Sequence, residues 1–196
     1  MEILLSLVFL FLISYYNYKL IQVLRKMKKQ IILPTTSEEL ISLRRHPQQT
    51  VDFPSYSTQK TALFMYAFIL LLLSIIFIYD LLSNEFQSVY LVLIPAYIYS
   101  QQLFNLFAVV DDGIISGSRF IPWDKMKSFQ LIPIDINHKY YGFEKEVNHN
   151  GFELKIKTGI SSISCIITSK EMKTKLVQIL NKKIHNESSS LKWSNE

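Results

Sequence analysis

Residues 111–129 read DDGIISGSRFIPWDKMKSF. Asp111-Asp112-Gly113 is a turn signal, because Asp and Gly tolerate the backbone angles that tight turns impose. Ile114 to Phe120 then reads as a strand interrupted at Gly117, where a bulge fits. Pro122 has no N–H to give a ladder, so it marks a strand end or a sheet edge. Trp123 follows, then a polar step over Asp124-Lys125-Met126, and Lys127 to about Ile132 reads as the next strand. This is the language of a small antiparallel sheet, and it begins where a long apolar stretch ends.

Working downstream, residues 135–150 are polar and predict a long hairpin loop. Phe152, Leu154 and Ile156 alternate with Glu153, Lys155 and Lys157, the pattern of a half-buried strand. Ile163, Cys165 and Ile167 give its partner. Thr168 with Glu171 three residues later reads as a capping box. It opens a helix whose apolar stripe is Met172, Leu176, Val177, Leu180 and Ile184. From His185 the chain reads as disordered. A unit of roughly 75 residues sits near the lower limit for a self-sufficient core. Trp123 is expected to plug that core where helix meets sheet, with ligand stacking as the alternative.

Working upstream, the composition is that of a membrane protein. Hydrophobic residues make up 49% of 196, charged residues only 19%, and the apolar ones crowd into the first 110 positions. Three runs predict spanning helices: Ile3 to about Leu24, Ala62 to about Tyr79, and Phe86 to about Phe107 with a kink at Pro95. The first begins Met-Glu and lacks a small-residue cleavage site, so it reads as an uncleaved anchor. Tyr15, Tyr16 and Tyr18 form an interfacial belt beside Lys19. Residues 80–85 form a hairpin. Gln101, Gln102 and Asn105 fall at the cytoplasmic interface.

Residues 25–60 carry seven Lys and Arg, whereas residues 80–88 carry none. The positive-inside rule therefore puts the N-terminus outside, the 25–60 loop inside and everything after about residue 108 inside. Arg25, Lys26, Lys28 and Lys29 form a basic cluster at the membrane interface. Thr36 and Glu39 fit a capping box for a short helix to about Arg45, and Pro47 and Pro54 keep the rest irregular. The expected domains are 1–30 (first span), 31–60 (cytoplasmic loop), 61–107 (helical hairpin), 108–184 (α+β module) and 185–196 (tail).

Asp112-Gly113-Ile114, Ile121-Pro122-Trp123-Asp124 with Met126, and the helix from Thr168 to Ile184 resemble the bacterial PH-like domains of small membrane proteins, the YcxB-like group and its relatives. The resemblance covers roughly residues 108–184. It implies a PH-like antiparallel half-barrel closed by a C-terminal helix and attached to a few spans. It implies no catalytic residues.

The chemistry-bearing residues are sparse. A phosphate-binding glycine loop, a nucleophile elbow and a paired-histidine zinc signature are all missing from the sequence. His138 and His149 flank one loop at spacing that fits no metal motif. Cys165 sits among inward-facing residues and reads as a small buried hydrophobe. A net charge of +5 is too diffuse for a nucleic-acid stripe. The expectation is a non-catalytic integral protein of a bacterial plasma membrane, without metal or cofactor and with room for homo-oligomers. Its cytoplasmic module is expected to bind anionic phospholipid headgroups or a membrane-protein partner through Arg119, Trp123, Lys125, Lys127, Lys155 and Lys157. The alternative is bacteriocin immunity or envelope-stress protection. Transport is disfavoured because the spans hold no mid-membrane ionisable group.

Overall fold

The structure, a computed structural model, describes residues 2–83, 95, 99, 104–159 and 161–193. Helix α1 (Glu2–Met27) contains neither Gly nor Pro and ends on Arg25 and Lys26, cations that suit the negative end of a helix. Helix α3 (Lys60–Ser83) is equally free of breakers and more apolar. Both are long and apolar enough to cross a membrane, over Leu7–Met27 and Lys60–Tyr79. The expected hairpin at 80–85 begins inside α3, which keeps residues 80–83 helical.

Most of the expected third span lies outside the described residues; Pro95 and Tyr99 are helical. Its expected end is corrected. Phe104–Leu106 are not helical, and Phe107 opens a strand. Phe104 packs edge-on to Tyr66 at 6.1 Å, and the Asn105 side-chain amide donates to the Thr50 carbonyl at 2.6 Å. Asn105 is thus a buried internal strut between the 49–50 strand and the start of the 107–110 strand.

Two antiparallel sheets follow, and residues 31–50 supply strands to both. The first sheet runs β1 (Ile31–Leu33), β4 (Phe107–Val110), β5 (Gly113–Ser116), β6 (Arg119–Pro122). The second runs β3 (Gln49–Thr50), β2 (Leu43–His46), β9 (Ser162–Ile167), β8 (Phe152–Thr158), β7 (Met126–Pro133). The stretch expected to be a loop is therefore part of the module. Helix α2 (Ser37–Ile41) is capped as expected at Thr36, whose hydroxyl accepts the Glu39 N–H at 3.3 Å; the Glu39 carboxylate closes the box on the Thr35 N–H at 2.7 Å. It stops short of Arg45 because Leu43 drops fully into the core and pairs with Ile167. Tertiary burial outweighs the local helix preference here.

The expected interrupted strand at 114–120 is two strands joined by a Gly117-Ser118 turn, since Ser116 pairs with Arg119. Gly117 has φ +59°, and a Cβ there would lie 2.6 Å from the guanidinium carbon of Arg45. Gly113 is glycine for a different reason: a Cβ would come within 2.8 Å of the Phe120 ring and the Pro122 Cα.

Every residue of β4 and β5 is buried, which requires cover on both faces. Phe107, Val109 and Ile114 face the core shared with β8, β9 and the C-terminal helix. Ala108, Val110 and Ile115 face Leu20, Val23 and Met27 of α1 and Tyr66 of α3. The module is therefore seated directly on the ends of the long helices. Beyond it, α1 and α3 expose Leu7, Phe11, Phe68, Ile75 and Ile78.

A short helix, α4 (Lys145–Asn150), stands in the stretch expected to be wholly irregular. Its Val147 packs with Ile134 on the outer side of β9, at Ile166. Helix α5 (Lys170–Trp193) buries Met172, Leu176 and Leu180 against Trp123. Its cap is Ser169, whose hydroxyl accepts the Met172 N–H at 3.5 Å. Thr168, the expected cap, is buried and donates instead to Glu146 at 3.2 Å. The helix continues past His185, because neither Gly nor Pro interrupts residues 170–193. The sheets do not close into a barrel.

Candidate functional site

Three of the six residues expected to form a binding surface come together. Arg119 at the start of β6, Lys125 in the 3-10 turn after it and Lys127 in β7 line one cleft of about 730 Å³. Its opposite wall is the long apolar helix α1, at Tyr15, Tyr16 and Lys19. The Lys19 ammonium lies 5.5 Å from the Tyr15 ring, a cation–π distance. Asp124 is the acidic group of the lining. All three module cations are exposed, and among the described residues none of them pairs with a carboxylate.

The other three lie elsewhere. Trp123 is only 4% exposed and donates its indole N–H to the Asp111 carbonyl at 2.8 Å, so it serves the core and the β4–β5 turn. Lys155 and Lys157 stand on the outer face of the second sheet, across from Ser164 and Ser162. Period-two alternation places them on the same face as each other but cannot tell which neighbours share it.

The basic cluster at the end of α1 is divided. Lys26 and Lys29 both engage the Asp112 carboxylate, the latter at 2.9 Å, while Lys28 sits over the Tyr56 ring and Arg25 is exposed. Burial alone would raise the Asp112 pKa; the two lysines outweigh it and hold the carboxyl below its ordinary range.

A second, smaller cleft of about 390 Å³ adjoins the first through Tyr16, Ser118 and Arg119. It adds Arg45 and His46 of β2 and Ser162 and Ser164 of β9. Sequence reasoning missed Arg45, because β2 was expected to be helix and loop. Two adjacent cations, Arg44 and Arg45, on a strand with alternating faces were the available signal. Arg44 points to Glu146 and Arg45 to the Phe104 carbonyl.

Also missed was Glu153, expected to be solvent-facing on an alternating strand. It is 3% exposed, held by His138 at 3.1 Å and Lys139 at 2.9 Å under the 134–151 connection. Burial pushes its pKa up, but Lys139 and then His138 overcome that and set it below the ordinary glutamate value. A carboxyl whose folded pKa is depressed stabilises the fold above its unfolded pKa and loses that contribution as pH falls through the folded value. The thermal midpoint should therefore fall below about pH 4.5, and more steeply in the native chain than in Glu153→Gln. Identical slopes for the two proteins would remove Glu153 from the acid response.

Cys165 is fully inside, where burial pushes its thiol pKa far up, away from nucleophilic reactivity. His149 is bonded to the Lys145 carbonyl at 2.8 Å and does not join His138.

Residues 105–185 match the family model of a domain of unknown function (DUF5673). The match takes in β4 to β9 and most of the length of α5, and it leaves out β1, β2 and β3. No curated protein and no solved structure matches the chain.

Proposed function

We propose that the chain is a non-catalytic, multi-pass protein of a bacterial plasma membrane whose cytoplasmic module engages anionic phospholipid headgroups. The observation that carries this reading is the larger cleft. One wall is the interfacial Tyr15-Tyr16 and Lys19 segment of an apolar helix, and the other carries Arg119, Lys125 and Lys127, which pair with no carboxylate among the described residues. A headgroup entering there would meet positive charge at the depth where phosphates lie, worth about 1 kcal/mol per cation.

Strand pairing supports the topology. β1 pairs with β4 and β2 with β9, so residues 31–50 and 107–167 share one side of any bilayer. The chain departs from that side along α3 and is back beside Tyr66 at Phe104. The intervening residues 84–103 number 20, enough at ~1.5 Å each for a helix of about 30 Å, the thickness of a hydrocarbon core. This favours a third passage, with the basic 25–60 side facing the cytoplasm. The Ile121-Pro122-Trp123 corner and the helix over the core support the PH-like reading of the module.

The test uses the full-length protein in reconstituted bilayers containing spin-labelled phosphatidylglycerol or phosphatidylcholine. The motionally restricted fraction should be greater for phosphatidylglycerol at low salt and converge with phosphatidylcholine at high salt. In Lys125→Gln/Lys127→Gln the preference should drop about tenfold, two charges at roughly 1 kcal/mol each less screening. A preference unchanged by that double substitution would sink the assignment.

A further inference from the structure

We propose that the smaller cleft, where Arg45 and Arg119 converge among serine hydroxyls, is a phosphate-binding site. This goes beyond headgroup attraction at the larger cleft, with which it shares Arg119.

The fold fixes Arg45 in place. Its guanidinium donates to the Phe104 carbonyl and lies beneath the Gly117 turn, within 2.6 Å of where a Cβ there would sit. Arg119 begins the strand on the other side of that turn and is exposed. Neither arginine has a carboxylate partner among the described residues, and the residues lining the cleft include no Asp or Glu. An anchored guanidinium and an exposed one lining the same cleft repel each other unless an anion stands between them. Burial and then the charge of Arg119 draw the Arg45 pKa down, in keeping with an uncompensated neighbour.

The donors also select the shape of the anion. They arrive from three directions: Arg45 and His46 from β2, Ser116 and Arg119 from the β5–β6 hairpin, Ser162 and Ser164 from β9. A planar carboxylate is satisfied by a single guanidinium fork. A tetrahedral phosphoryl group, with several acceptor oxygens, uses donors spread around a pocket. The opening toward the larger cleft admits a phospholipid headgroup, and the volume also admits free phosphate.

Two arms separate these sources. In the first, full-length protein in detergent is titrated calorimetrically with inorganic phosphate against chloride at matched ionic strength. In the second, reconstituted bilayers carry spin-labelled phosphatidate, a phosphomonoester, or phosphatidylglycerol, a diester. Saturable phosphate binding at one site per chain, or a phosphatidate preference, supports the proposal and names the source. Either signal should weaken at least about tenfold in Arg119→Gln and in Arg45→Gln, and survive in Lys170→Gln, an exposed lysine of α5 that lines neither cleft. Arg119 is exposed at a strand start, so its variant keeps the test valid should Arg45→Gln perturb folding. No binding in either arm, or binding indifferent to Arg119→Gln, overturns the site. Failure of the headgroup reading would show separately, as the absence of a salt-sensitive phosphatidylglycerol preference.

Discussion

A chain cut to residues 105–185, the extent of the family match, is expected to stay unfolded, whereas residues 29–52 joined to 104–185 by a flexible linker fold in detergent. The short fragment lacks Leu33, Leu43 and Val51, all 4% exposed or less in the shared core. At roughly 1.5–3 kcal/mol per buried aliphatic side chain, their loss removes about 5–9 kcal/mol. That is comparable to the whole stability of a small domain, about 5–15 kcal/mol. The fragment also bares the ladder edges of β4 and β9 that β1 and β2 cover, and open edges invite aggregation. Near-ultraviolet circular dichroism and a thermal melt decide the matter. A cooperative transition in 105–185 alone would show that the N-terminal strands are accessories.

Replacing Trp123 with Ala should destabilise the module by about 3–5 kcal/mol, the largest effect expected from truncating any one side chain of its core. The indole fills the junction of α5 with both sheets, and its N–H satisfies the Asp111 carbonyl at 2.8 Å. Trp123→Phe keeps most of the volume and loses the hydrogen bond, so it should cost nearer about 1–2 kcal/mol. Denaturant midpoints of the three proteins in the same detergent give the comparison. A Trp123→Ala midpoint equal to the native one would return the residue to the surface-ligand role.

How much of this was legible in the sequence depends on how local each signal was. The alternation of Ile163, Cys165 and Ile167 and the stripe of Met172, Leu176 and Leu180 announced their buried faces, because one period and one core determine them. Gly117 was visible as an exception but not as a reversal. A bulge and a two-residue turn both call for glycine, and only the pairing of Ser116 with Arg119 separates them. β1 was hidden because its partner β4 lies more than seventy residues away, and β2 because its long partner β9 is farther still, while its local partner β3 is only two residues long and follows a Pro47-Gln48 turn that lacks the usual Asn-Gly hairpin signal. The same distance hid Arg45 and the pairing of Lys26 and Lys29 with Asp112. Lys125 and Lys127 could be named as a basic surface, but the facing wall of Tyr15 and Lys19 depends on where α1 docks.

That docking gives α1 the character of a driveshaft. From Leu20 to Met27 the helix is packed beneath β5 and β6 with no flexible segment between, and Lys26 and Lys29 grip the β4–β5 turn at Asp112. The adjoining Asp111 carbonyl holds both the Trp123 indole and the Lys183 ammonium of α5. Helices meet a thinner or thicker bilayer by tilting. If α1 spans a bilayer as proposed, a tilt of it carries the β4–β5 turn along and loads, through the Asp111 carbonyl, the contacts that seat α5 on the core.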